Sequence, residues 1–221
     1  MENKNKSQGM VFKVFSGILV LINLLLGIWA YPHLPERVPS HWNTAGEVNG
    51  YSGPFVGAFL LPLTLIGIYL LFWVLPKIDP KKANYTQMGR VFWIIGATII
   101  LFMSILYWGT LGVALGYLET LPRWTFSGIG LLFVILGNYF GKIKFNYTLG
   151  IRTPWTLASE EVWYKTHRFA GPIWIVGGIV LFLIGFLPKA WTSPLFIVVI
   201  LALTVLPMGY SYLLYRKVMK S

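Results

Sequence analysis

Six continuous apolar stretches divide the chain, at residues 14–31, 55–75, 91–117, 124–141, 172–187 and 194–215. A helix that crosses a bilayer needs about 20 apolar residues, within a range of roughly 17–25. These stretches are apolar throughout rather than alternating, which predicts helices and not the strands of a barrel. The fifth is short and is expected to borrow Phe169 and Ala170 at its start, whereas the third is long enough to tilt or to project into a headgroup layer. The expected fold class is an all-α membrane protein, a bundle of six transmembrane helices. Residues 1–90 form a two-span region with a Pro/Gly-rich loop; residues 91–221 form a four-span region with a polar loop at 142–170.

Composition agrees with lipid as the solvent. The 221 residues are 56% hydrophobic and only 11% charged, against about 25% charged in soluble domains. The sequence has no cysteine, which excludes disulfides, thiolate metal sites and cysteine nucleophiles. A basic start followed by an apolar run suggests a signal peptide. The run exceeds the roughly 7–15 residues of a signal core, however, and cleavage after Ala30 would put Ile28 where a small residue is wanted. An uncleaved first span is therefore expected.

Charge sets the expected orientation. With the N-terminus inside, only Arg37, Arg123 and Lys189 of the 18 basic residues fall outside. Every short loop then obeys the positive-inside rule, so both ends are expected in the cytoplasm. Glu36, Glu47 and Glu119 balance the outer cations, so the whole formal excess of +11 lies on the inner face. Such a face fixes topology and also attracts anionic lipid headgroups, by about 1 kcal/mol per basic residue near the surface. The cations are scattered over four segments without a recognisable module, so nucleic acid is not an expected partner.

Two loops carry the candidate chemistry. The outer one reads PHLPERVPSHWNTAGEVNGYSGP from Pro32 to Pro54, and its prolines and glycines predict a compact, turn-rich cap. Turns are expected at 43–46 and 49–50, with Trp42 as a headgroup-level anchor. His33, Glu36, His41 and Glu47 are four zinc-capable side chains beside Asn43, although their spacing matches no established zinc pattern. Two readings are open there: a metal site, or a loop held by hydrogen bonds to its own turns.

The inner loop, 142–170, is expected to run extended to a turn at Thr153-Pro154. A helix should then start after the N-cap Ser159, with Glu160 and Glu161 in its first turn, Glu161 paired with Lys165, and a merger with the fifth span near Gly171-Pro172. Val162, Trp163 and Phe169 would give it an apolar side suited to the membrane surface. Arg152, beside the rigid turn and Trp155, would hold a phosphate or carboxylate, or else pair with a nearby glutamate. His167 shares a helical face with Trp163 and Glu160; it would serve as a proton-linked switch, as half of a metal site, or as a hydrogen-bonded structural histidine. Asn23 and Asn138 are polar groups within spans, and interhelical packing is the expected role of both. No acid or base sits at a span centre, which argues against proton-driven export.

The stretch from Gly137 to Gly171 closely resembles the signature of the SdpI family of bacterial membrane proteins. Asn138, Gly141, Lys142, Asn146, Gly150, Arg152, Thr153, Pro154, Trp155, Thr156, Ser159, Glu160, Trp163, Thr166 and His167 carry the resemblance. The segment LPERVPSHWNTAGEVNGY is similar to a small domain of unknown function that often precedes the SdpI region. The resemblance implies a non-enzymatic immunity protein of the cell membrane, without a cofactor, that protects against a secreted membrane-active peptide toxin. It further implies that a transcriptional repressor can be held at the membrane; a basic repressor would need specific contacts that outweigh repulsion by the positive inner face. The alternative is a transporter or lipid-binding protein that uses the basic inner loop, and a membrane hydrolase based on the outer His/Glu cluster ranks last.

Overall fold

The computed structural model describes residues 2–43, 47–119, 121 and 124–219. Residues 44–46 of the expected turn at 43–46, Arg123 and Lys220 lie outside the described residues, as do the side chains of Lys4, Lys6 and Lys189.

The long helices are α1 (Glu2–Ala30), α2 (Pro54–Ile78), α4 (Arg90–Ala114), α5 (Trp124–Phe140), α7 (Glu160–Ile184) and α8 (Lys189–Val218); short helices α3 (Lys82–Met88) and α6 (Pro154–Ala158) lie in the loops. Five of the long helices have the length and apolar composition to cross a membrane. The sixth, α5, is apolar but has only 17 residues. The fold is thus an all-α membrane protein. Burial is inverted relative to a soluble bundle. On α1, Val11, Val14, Ile18, Leu21, Leu25 and Ile28 form an exposed apolar stripe at helical spacing, while polar Ser16 and Asn23 point inside. Prolines inside α2, α7 and α8 do not end these helices, as is common where neighbouring helices satisfy the freed carbonyls.

The helices form two groups of three. α1, α2 and α4 pack together, as do α5, α7 and α8, and the groups meet along α4 and α5. Asn23 joins α1 to α4, its amide donating to Ser104 Oγ at 2.8 Å and to Leu19 O at 2.7 Å. The closest packing is antiparallel, between α5 and α7. A β-carbon on Gly137 would stand 2.9 Å from the Gly171 carbonyl oxygen, and one on Gly178 would stand 2.7 Å from that of Gly130. The glycines recur at seven-residue spacing on both helices, so two turns of each backbone can touch. By contrast, a cavity of about 250 Å³ lined by Leu101, Phe102, Ile105, Leu131, Leu132 and Phe182 lies between α4 and α5.

Two expectations are corrected. The outer loop is not only turns: β1 (Val38–Trp42) and β2 (Val48–Ser52) pair as an antiparallel hairpin with irregular register near His41. Val38 plugs it onto α2 at Gly57, where any β-carbon would meet Val38 Cγ1 at 2.6 Å. Asn138 is exposed near the end of α5 rather than buried between helices. Asn23 does take the expected interhelical role.

Candidate functional site

The largest buried cluster lies at the end of the molecule that carries α3 and α6, and it draws on both helix groups. Phe72, Leu75, Tyr85, Met88, Phe92 and Ile95 come from the first, and Phe140, Ile143, Phe145, Trp163 and Ala170 from the second. Around it the loop 141–153 folds without regular secondary structure, so its backbone groups need other partners.

Asn146 supplies several of them. It is fully buried; its amide donates to Lys144 O at 2.8 Å and Leu149 O at 3.0 Å, while Oδ1 accepts from the backbone N–H groups of Thr148 at 2.9 Å and Leu149 at 2.6 Å. Its short amide thereby mimics a strand partner for the turn from Lys144 to Leu149. Gly150 follows with φ +115°, a left-handed conformation that glycine adopts without strain, and its α-carbon faces the edge of His167. The next amide, Ile151 N–H, donates to His167 Nε2 at 2.9 Å, and His167 Nδ1–H donates to Trp163 O at 2.8 Å. Both ring nitrogens are therefore engaged in the neutral tautomer, and neither is free to act as a base or metal ligand. Trp163 stacks on His167 with ring centroids 4.2 Å apart and donates from Nε1 to Ile143 O at 3.1 Å. Its burial, with that of Val162, corrects the expected membrane-surface helix: this side of α7 faces the protein interior.

The turn at Thr153-Pro154 forms as expected and continues into α6. Thr153 and Thr156 make a reciprocal cap, Thr156 N–H donating to Thr153 Oγ1 at 3.1 Å and Thr153 N–H to Thr156 Oγ1 at 2.9 Å. Thr153 Oγ1 also meets Ser211 Oγ of α8 at 3.1 Å, and Trp155 packs on Tyr212 with ring centroids 5.0 Å apart. Ser159 caps α7, which runs unbroken through Pro172. Lys142 lies over the Tyr139 ring, 5.1 Å from its centroid.

Sequence reasoning missed the loop's other anchor. Asp79, just past α2, is buried. Its Oδ2 accepts from Tyr85 Oη at 2.8 Å, Tyr147 N–H at 3.0 Å and Thr148 Oγ1 at 3.4 Å, and its Oδ1 accepts from Lys81 N–H at 2.8 Å. Tyr85 Oη also bonds Thr148 Oγ1. Burial pushes the Tyr85 phenol above its ordinary range; Thr148 opposes the shift and the bond to Asp79 reinforces it. Asn84 donates to Phe145 O at 2.7 Å, and Lys81 pairs with Glu160 at 2.9 Å. The available signal was Asp79-Pro80, a turn-initiating pair in a segment otherwise basic.

Glutamate pairing is thereby corrected at Arg152. Glu160 turns to Lys81 and Glu161 to Lys165, as expected for the latter, while Arg152 is exposed and donates from Nη1 to Tyr147 O at 3.0 Å. The outer candidates are held separately. His33 Nδ1–H donates to Trp29 O at 2.9 Å, His41 Nδ1–H to Asn49 Oδ1 at 2.5 Å, and Asn43 Nδ2 to Glu47 Oε2 at 3.0 Å. Glu36 is exposed, and Trp42 is half-buried with its indole N–H turned inside. Among the described residues no three His, Asp or Glu side chains converge as metal ligands.

The loop and its supports on α6 and α7 coincide with a match to known proteins. Residues 142–211 form an SdpI-family domain, matching the SdpI/YfhL protein family, and residues 18–66 match a domain of unknown function, DUF1648. The chain is 28% identical over 204 residues to the immunity protein SdpI of Bacillus subtilis (strain 168), which covers 92% of this chain and 96% of that protein. No solved structure matches the chain.

Proposed function

We propose that this protein, with its SdpI-family domain, is a non-enzymatic immunity protein of the bacterial cell membrane, protecting its host against a membrane-active peptide. The observation that carries this reading is similarity to an immunity protein along nearly the full length of both chains. Two structural features support it. The signature residues Asn146, Trp163 and His167 are spent on holding a loop in one shape, as suits recognition or support rather than proton transfer. The outer hairpin, seated on α2 through Val38, offers an extracellular surface joined to that loop through α2 and Asp79.

In this reading six spans cross the membrane with both ends in the cytoplasm, the hairpin outside and the Asn146–His167 loop inside, following the distribution of basic residues. The test is expression of the full chain in a sensitive bacterium, challenged with a panel of membrane-permeabilising peptides from related bacteria. Survival should rise for at least one peptide and fall back with Arg152→Ala or Asp79→Asn. Equal killing with and without the chain across the whole panel would sink the proposal.

A further inference from the structure

At the loop end of the first helix group, Lys13 of α1 sits between two indole rings. Its ammonium lies 4.4 Å from the centroid of Trp73 on α2 and 4.3 Å from that of Trp93 on α4. The two rings meet edge to face, 5.9 Å apart. Lys77 is one turn beyond Trp73 on the same face of α2, exposed, and close enough for its charge to repel that of Lys13. Lys13 lies one turn into the apolar part of α1, Lys77 in the last turn of α2 and Trp93 in the first turn of α4, so two cations and two indoles gather at one end of three candidate spans.

Nothing described in the protein neutralises them. The acids at this end whose side chains are described are Asp79, Glu160 and Glu161. Asp79 is occupied by Tyr85, Tyr147, Thr148 and the Lys81 amide, Glu160 by Lys81, and Glu161 by Lys165. Among the described residues the Trp73 indole N–H is likewise buried without a hydrogen-bond partner. A partly buried lysine with a like charge beside it, at the end of its apolar span, calls for an anion from outside the chain. Indole rings prefer that same depth, and their faces hold the ammonium in place.

We propose that Lys13, Lys77 and the Trp73–Trp93 pair form a site for the phosphodiester headgroup of an anionic phospholipid in the adjoining leaflet. A phosphate between the two ammonium groups replaces repulsion with two charge-assisted contacts. A net negative headgroup is preferred to a zwitterionic one, whose own cation the lysine pair repels. The site is separate from the Asn146–His167 loop and independent of the immunity reading.

The experiment titrates the full chain, purified in neutral detergent, with phosphatidylglycerol or with phosphatidylcholine of the same acyl chains, and counts bound lipid by native mass spectrometry. The wild type is expected to bind phosphatidylglycerol more tightly. The Lys13→Gln, Lys77→Gln double variant should weaken that binding about thirtyfold, and Lys77→Gln alone, at an exposed position, about fivefold. Lys13→Arg should retain it, and Lys82→Gln, the same charge change at another exposed position, should stay within about twofold of wild type. Wild-type affinity in the Lys77→Gln variant would overturn the proposal even if the double variant failed to fold. Equal weakening by Lys82→Gln would reduce the effect to general surface charge, and displacement of the lipid by inorganic phosphate would make the ligand a free ion; either outcome overturns it.

Discussion

Asp79 accepts the backbone N–H of Tyr147 at 3.0 Å across 68 residues of sequence, and in doing so it ties the end of α2 to the loop between α5 and α6. A cavity lies between α4 and α5 where the two helix groups meet, and at the loop end this carboxylate and the buried cluster around Phe145 and Trp163 join them. A buried carboxylate survives there because its oxygens receive several donors.

Replacing Asp79 with Asn keeps the shape but turns an NH₂ group toward donors. The expected loss is about 2–3 kcal/mol of stability, typical of a buried charge-assisted network left partly unpaired. Tyr85→Phe, which removes one donor and leaves the rest, should lose about 1–2 kcal/mol. Thermal unfolding in detergent measures both, and an unchanged melting point for Asp79→Asn would mean that the carboxylate does not anchor the loop.

The Tyr85 phenol also makes stability depend on alkaline pH. Its folded pKa lies above the unfolded value, so its contribution is fully present below about pH 10 and is lost as pH rises beyond that. Unfolding followed from pH 8 to 11 should show a decline that is shallower in Tyr85→Phe. Parallel declines in both proteins would mean that other groups dominate.

Antiparallel contact between α5 and α7 depends on the absence of side chains. Gly178→Leu would drive four carbons against the Gly130 carbonyl and the Val134 backbone, and should cost at least about 1–3 kcal/mol. Gly209→Leu, where a β-carbon meets nothing within 4 Å, is the matched control and should be nearly neutral. The comparison is read as the difference in melting temperature between the two variants.

Orientation can be tested without background because the chain has no cysteine. Gly53→Cys, exposed beside the hairpin, should react with an impermeant thiol reagent in intact cells, whereas Lys82→Cys and Arg152→Cys should react only after permeabilisation. Labelling of position 152 from outside would reverse the topology.

The outer cluster His33, Glu36, His41 and Glu47 does not assemble. Proximity along the chain put these residues within a short loop, but strand pairing between Val38–Trp42 and Val48–Ser52 directs His41 to Asn49 and Glu47 to Asn43. Arg152 fared similarly: two glutamates were near in sequence, yet α7 presents Glu160 to Lys81 of another loop.

Sequence alone determined what depends on solvent and on neighbours within a turn or two. Apolar run length marked the helices, because the hydrocarbon thickness sets a minimum span; the Ser159 cap, the Glu161–Lys165 pair and the Thr153-Pro154 turn followed from contacts three or four residues apart. Tertiary structure decided what depends on distant partners: that Asp79 serves Tyr147, that His167 receives Ile151, and that Lys13 lies between Trp73 and Trp93. Hydropathy records how much each residue prefers lipid to water and says nothing of which helix stands beside which. A hydrogen bond or cation–π contact between residues 60 or 80 positions apart exists only once packing has chosen those neighbours.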